Sequence, residues 1–131
     1  MVRDGFLRDE EVHRMAIPTV GRTRAEFAAP FESEGYFAGL SIEQMEVFDA
    51  EDSIWTTYLD TADARLLGGR WAAFSRASVF PTLAAGLEGG REDARYPLFL
   101  DRLEADVAAR LASSPAPMRI PLARMLFAKQ G

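Results

Sequence analysis

The sequence predicts an α+β chain, with helices joined to two antiparallel strands at about residues 40–48 and 118–128, in a single unit spanning residues 1–131. Three observations carry this reading. Tyr96, Phe99, Leu100, Leu103, Val107 and Leu111 keep a helical period over about four turns. The stretch Ala64–Gly90 places Trp71, Phe74, Ser75, Ser78 and Thr82 at three- and four-residue spacing, hence on one helical face. Leu122 to Ala128 is apolar except for Arg124, a run that suggests a strand covered on both faces.

Taken in order, Arg8–Arg14 is a short charged helix with Asp9, Glu10 and Glu11 at its start, ending before Ile17-Pro18. Thr23 and Glu26 have capping-box spacing and open a second helix that runs to about Ser33, with Phe27 and Phe31 on one face. Pro30 weakens its middle and Gly35 ends it. Leu40-Ser41-Ile42 and Met45-Glu46-Val47 both alternate, but out of phase, which predicts one strand with a bulge near Glu43-Gln44. Asp49–Asp52 is a polar break, and Ser53–Asp63, with Trp55 and Tyr58, reads as irregular.

The helix from Ala64 should kink or break near Pro81, because proline cannot donate a backbone hydrogen bond and biases Phe80 away from helix. Gly89-Gly90 stops it. Its face is aromatic at first, then small and hydroxylated. Such a face either lines a cavity or lets a second helix pack close. Asp93 is a cap for the next helix, which tolerates Pro97 in its first turn and ends at Ser113–Pro117. Met118–Lys129 is the last strand. Two strands alone make a poor sheet, so the last one is suited to a wider sheet than this chain supplies.

Composition narrows the function. Hydrophobic residues make up 48% of the 131, enough for a core. Lys+Arg 15 against Asp+Glu 20 gives a net charge of −5 with no basic block, which argues against nucleic acid as a partner. Zero cysteines exclude disulfides, thiolate metal sites and a cysteine nucleophile, and fit a cytoplasmic location. No apolar run approaches 18 residues, so no membrane span is expected, and the first residues do not read as a signal peptide.

The usual catalytic signatures are absent. Gly68-Gly69 and Gly89-Gly90 do not follow a strand and make no phosphate loop. The single histidine, His13, lies in a charged segment and reads as a surface residue. No nucleophile elbow and no metal-ligand spacing occur; Asp49, Glu51 and Asp52 read as a solvated loop. From the residues alone the chain is an α+β piece with a possible pocket helix and no catalytic group of its own.

Five segments, in collinear order over nearly the whole chain, resemble the C-terminal part of the SABATH methyltransferases. Asp4-Gly5-Phe6-Leu7-Arg8-Asp9-Glu10-Glu11-Val12-His13-Arg14-Met15-Ala16-Ile17-Pro18 follows the family's Asp/Glu-Gly-Leu/Ile-x-x-Glu-Glu-x-Val-Asp-Ser-Phe-Asn-Ile-Pro. Thr23-Arg24-Ala25-Glu26-Phe27 is similar to its helix-opening Ser-x-x-Glu-Val. Leu40–Phe48 is similar to its strand Phe-x-Ile-x-x-Leu-Glu-x-Phe, and Ser75–Leu83 to its cap helix Met-Arg-Ala-Val-x-Glu-Pro-Leu-Leu. Ile120-Pro121-Leu122 onward stands at the terminal Phe-x-Asn and strand. Met15-Ala16 replace Phe-Asn, Phe80 replaces an acidic residue and Leu122 replaces the Asn.

The resemblance implies a fragment of an α/β Rossmann-like methyltransferase, comprising a helical cap and two antiparallel C-terminal strands. The family methylates carboxylates or ring nitrogens of small molecules with S-adenosylmethionine. Its cofactor-binding glycine loop lies upstream of this segment, so the cofactor is expected to bind through a missing N-terminal half and not to this chain alone. The implied substrate-binding residues are Ser75, Ser78, Ile120 and, more weakly, Met15. Small side chains at 75 and 78 would widen the acceptor pocket. The implied partners are a small-molecule acceptor and either the chain's own N-terminal half or a second copy. The rival expectation is a non-enzymatic binding or dimerisation module that has lost the cofactor half.

Overall fold

The computed structural model describes residues 1–129. They form a small α+β fold with six α-helices and two antiparallel strands. The elements are α1 (Asp9–Arg14), α2 (Arg24–Ala28), β1 (Leu40–Ala50), α3 (Ser53–Thr61), α4 (Ala64–Ser78), α5 (Phe80–Ala84), α6 (Tyr96–Ser113) and β2 (Ile120–Lys129). Single 3₁₀ turns occupy Ala29–Phe31 and Gly90–Glu92. The chain divides into two compact units. Met1–Pro18 with Ser53–Pro117 makes a helical unit, and Thr19–Asp52 with the segment from Met118 makes a sheet unit.

In the helical unit α4 and α6 lie antiparallel, with Gly68 against Ala108 and Ala112, and Arg76 against Asp101 and Glu104. The contact at Gly68 leaves no room for a side chain, since a Cβ there would stand 2.3 Å from the Ala108 carbonyl oxygen. Leu67, Gly68 and Ala72 are the buried residues of α4. Close packing against α6 is thus at Gly68, which is not among the face residues Trp71, Phe74, Ser75, Ser78 and Thr82. Val79 breaks the helix before Pro81, as the proline requires, and α5 resumes for one turn with Pro81 at its start. The core joins Leu7, Ala84, Leu87 and Phe99, with Met15, Leu83, Tyr96, Leu100 and Leu103 packed around them.

Ser53–Asp63, expected to be irregular, contains the helix α3. Three threonines weaken its local helical signal. Ile54, Trp55 and Tyr58 nevertheless turn partly buried faces to one side, the Trp55 and Tyr58 rings lie 5.0 Å apart, and Arg70 of α4 donates to Thr57 Oγ1 at 3.2 Å. Tertiary contact overrides propensity here. The second helix is shorter than expected: α2 stops at Ala28, and Pro30 forces the 3₁₀ turn that follows.

In the sheet unit Thr23 caps α2, its Oγ1 accepting from Glu26 N at 3.3 Å while Glu26 accepts from Thr23 N at 2.6 Å. β1 pairs antiparallel with β2, from Leu40 opposite Lys129 to Ala50 opposite Ile120. The register shifts between Ile42 and Gln44, so Glu43 is the bulged residue, which explains the phase change in the pattern. β1 runs to Ala50, two residues beyond the expected end, with Asp49 opposite Pro121 and Ala50 opposite Ile120.

One sheet face is partly covered: Phe31 stacks on Phe127 at 5.9 Å and Phe27 lies beside Val47 and Ala123, with Val47 and Phe127 still 46% and 40% exposed. The other face carries Phe48, Leu122 and Leu126, which are 37%, 46% and 53% exposed. The apolar run of β2 thus calls for more cover than the described residues supply, with one face partly covered and the other left open. The α2 segment reaches only one face, and β2 has no second partner strand among the described residues.

Candidate functional site

Trp71, Ser75 and Ser78 occupy successive turns on one side of α4, and Asp63 fixes the start of that helix by accepting from Leu66 N at 2.9 Å. Ser75 is half-buried and Ser78 exposed. Each hydroxyl donates to the carbonyl one turn back, Ser75 Oγ to Trp71 at 2.9 Å and Ser78 Oγ to Phe74 at 2.8 Å. Each hydroxyl thus has a backbone partner within its own helix. Trp71 is different. Its Nε1 is buried and has no hydrogen-bond partner. The indole packs edge-on to Phe74, with ring centroids 5.7 Å apart, and the Phe74 ring is 59% exposed.

Met15 lies in the helical unit as well, half-buried against the core cluster. A Cβ on Gly86 would stand 2.7 Å from Met15 Cγ, so the glycine makes room for the methionine. Arg14 Nε donates to the Gly86 carbonyl at 3.2 Å and holds the two segments together. Ile120 opens β2 opposite Ala50 in the sheet unit. Ser75, Ser78 and Met15 thus share one unit, and Ile120 belongs to the other.

The segment that carries Met15 is anchored by a buried carboxylate. Glu11 is fully buried. Its Oε1 accepts from Arg95 Nη2 at 2.5 Å and Glu88 N at 2.9 Å, and its Oε2 from Arg95 Nη1 and Arg8 N, each at 3.0 Å. Arg95 also donates to the Phe6 carbonyl and to Asp93. Asp93, expected to cap the last helix, accepts from Arg95 N at 2.9 Å and from Gly89 N at 3.2 Å.

The Arg95 guanidinium, with the Arg8 and Glu88 amides, outweighs burial and lowers the Glu11 pKa to about 2. Arg95 and its own amide hold Asp93 well below the usual carboxylate range, and both acids raise Arg95. This network is a positioning device for α1 and the turn before α6. In the sequence Glu11 is one of three adjacent acids suited to a helix start, and only burial sets it apart.

Two concavities among the described residues have defined linings. A cleft of about 450 Å³ between the start of α4 and the end of α6 is lined by methyl groups of Ala64, Ala108 and Ala112. A second, of about 220 Å³ in the sheet unit, lies between Val20–Arg22 and Val47, Leu122 and Ala123. His13 is exposed, with Nδ1 2.8 Å from the Asp9 carbonyl oxygen. No group of His, Cys, Asp or Glu among the described residues could hold a metal ion, and Asp49 of the acidic cluster is paired with Arg119. No helix of the described residues is long and apolar enough to cross a membrane. No protein-family model matches the chain, and no curated protein matches it.

Proposed function

We propose that this chain is the acceptor-capping part of a small-molecule methyltransferase of the SABATH type, working on a carboxylic acid or ring nitrogen. The observation that supports the reading is the cap-helix segment Ser75–Leu83: α4 ends at Ser78, breaks at Val79, and α5 starts at Phe80 with Pro81 in its first turn. The capped α2 and the bulged β1 fall on two of the other resembling segments.

The residues present do not fit the cofactor. Among the described residues no strand leads through a glycine loop into a helix. β1 is followed by Glu51-Asp52 and α3, Gly68-Gly69 lie inside α4, and β2 is the last element. In this reading S-adenosylmethionine is held by a separate polypeptide segment. This chain shapes and orients the acceptor, and proximity supplies much of the rate. In this reading Ser75 and Ser78 leave room at the pocket wall on the cap helix, with Met15 in the same unit.

The rival, a binding or dimerisation module without catalysis, draws on the exposed Phe48, Leu122 and Leu126 and the unpartnered edge of β2. The same edge can extend the sheet with a strand from the cofactor-holding part. Calorimetry and size-exclusion chromatography separate the two. The methyltransferase reading expects no S-adenosylmethionine binding by the chain alone, and a complex with methyl-transfer activity when the polypeptide encoded immediately upstream is added. Self-association that persists unchanged in that mixture, without methyl transfer, favours the rival.

A further inference from the structure

We propose that the open face of the sheet unit pairs with the same face of a second copy of this chain, about a two-fold axis running along the strands. The proposal concerns the sheet unit alone and stands apart from the capping reading. Side chains alternate along the ladder, so Gln44, Glu46 and Phe48 share a face with Leu122, Arg124 and Leu126. Phe48, Leu122 and Leu126 are exposed there, a contiguous apolar patch of the kind that marks an interaction surface.

One ion pair stands between the apolar residues and selects the partner. Glu46 and Arg124 lie opposite each other near the middle of the ladder, 2.5 Å apart, with side chains 46% and 69% exposed. Both charges are thus open to a further neighbour. An axis along the strands exchanges each residue with the one opposite it. Phe48 then lies over the second copy's Leu122, Leu126 over its Gln44, Glu46 over its Arg124 and Arg124 over its Glu46. The four charges alternate around the axis, and each has two opposite neighbours, as their burial requires. An isologous interface needs a surface that complements itself, and an acid facing a base across the axis supplies one. A partner of a single charge sign would be repelled by one of the two residues. Sheets packed face to face are aligned within about 30°, so overlap is best near the middle, where the ion pair stands. β2 is ten residues long, so the face measures about 34 Å by about 10 Å. That is small for a specific interface, and the dimer should depend on concentration.

Sedimentation velocity of the 131-residue chain, from micromolar to millimolar concentration, should show a monomer–dimer equilibrium. Glu46→Arg puts two cations on the face and Arg124→Glu two anions. Each variant alone should weaken the dimer about tenfold or more through like-charge contact, and an equimolar mixture of the two should recover it as a heterodimer. Circular dichroism checks that both variants fold. Leu126→Gln, at an exposed position, removes apolar contact without touching a charge and should also weaken the dimer. A wild-type chain that stays monomeric at millimolar concentration overturns the proposal. So does a dimer of unchanged strength in the charge variants and Leu126→Gln, which would lie elsewhere, at the free edge of β2 for one. Loss in each charge variant without recovery in the mixture overturns it too, since the charges then do not face each other. A monomer whose charge variants lose binding to the upstream-encoded polypeptide assigns the face to that partner and overturns the second copy. None of these readouts depends on methyl transfer.

Discussion

Arg95 places two guanidinium nitrogens on the carboxylate of Glu11, at 2.5 and 3.0 Å, where no part of that carboxylate reaches solvent. Removing Arg95 leaves the Glu11 carboxylate buried without its main counter-charge. Arg95→Ala should therefore cost about 3–5 kcal/mol, read from urea unfolding of the helical unit. A loss under about 1 kcal/mol, the size expected of an exposed pair, would contradict the geometry.

The same pair sets a pH response. Folding lowers the Glu11 pKa from the ordinary 4.5 to about 2. The folded state thus binds fewer protons than the unfolded chain in that window. The contribution of Glu11 is complete above about pH 4.5 and is lost as pH falls towards 2; Asp93, also lowered, acts in the same direction. Unfolding midpoints of wild type should fall steeply between those values, and Glu11→Gln should flatten the slope while lowering stability at pH 7. An unchanged slope in Glu11→Gln would place the acid sensitivity elsewhere.

Adjacent glycines on α4 should respond oppositely. Gly68→Ala drives a methyl against the Ala108 carbonyl, 2.3 Å away, and should destabilise by about 1–3 kcal/mol through overpacking. Gly69→Ala meets nothing within 4 Å and should gain about 0.5–1 kcal/mol from helix propensity. Thermal melts of the two variants check the sign of each. Equal effects would mean that α4 and α6 do not meet at Gly68.

On α6 the sequence stripe treats Phe99 and Leu103 alike, but Phe99 is 1% exposed and Leu103 is only partly buried at the rim of the cluster. Phe99→Ala should cost about 3–5 kcal/mol, and Leu103→Ala less than the 2–5 kcal/mol of a fully buried leucine. The ranking is readable from denaturant midpoints, and a larger loss at Leu103 would contradict this packing.

Local chemistry made much of the fold legible. The Thr23–Glu26 cap, the bulge at Glu43 and the break before Pro81 each follow from residues adjacent in sequence. What depends on distant partners was not legible. α3 is hidden by its threonines and held by Trp55, Tyr58 and Arg70, and the burial of Glu11 depends on Arg95, 84 residues away. Of the candidate site, Ser75 and Ser78 could be placed on one face from their spacing. The unpaired proton of Trp71 could not, because it is defined by which acceptors are missing around it.

The central claim is that α4 walls the acceptor pocket of a methyltransferase. Its most direct test is transfer of labelled methyl from S-adenosylmethionine to a panel of small carboxylic acids, with the chain and the upstream-encoded polypeptide mixed. Activity is predicted only in the mixture. Ser75→Trp and Ser78→Trp should each abolish it by filling the pocket, while cofactor binding by the upstream part stays intact. Turnover of every accepted acid at the wild-type rate in both variants would contradict the claim.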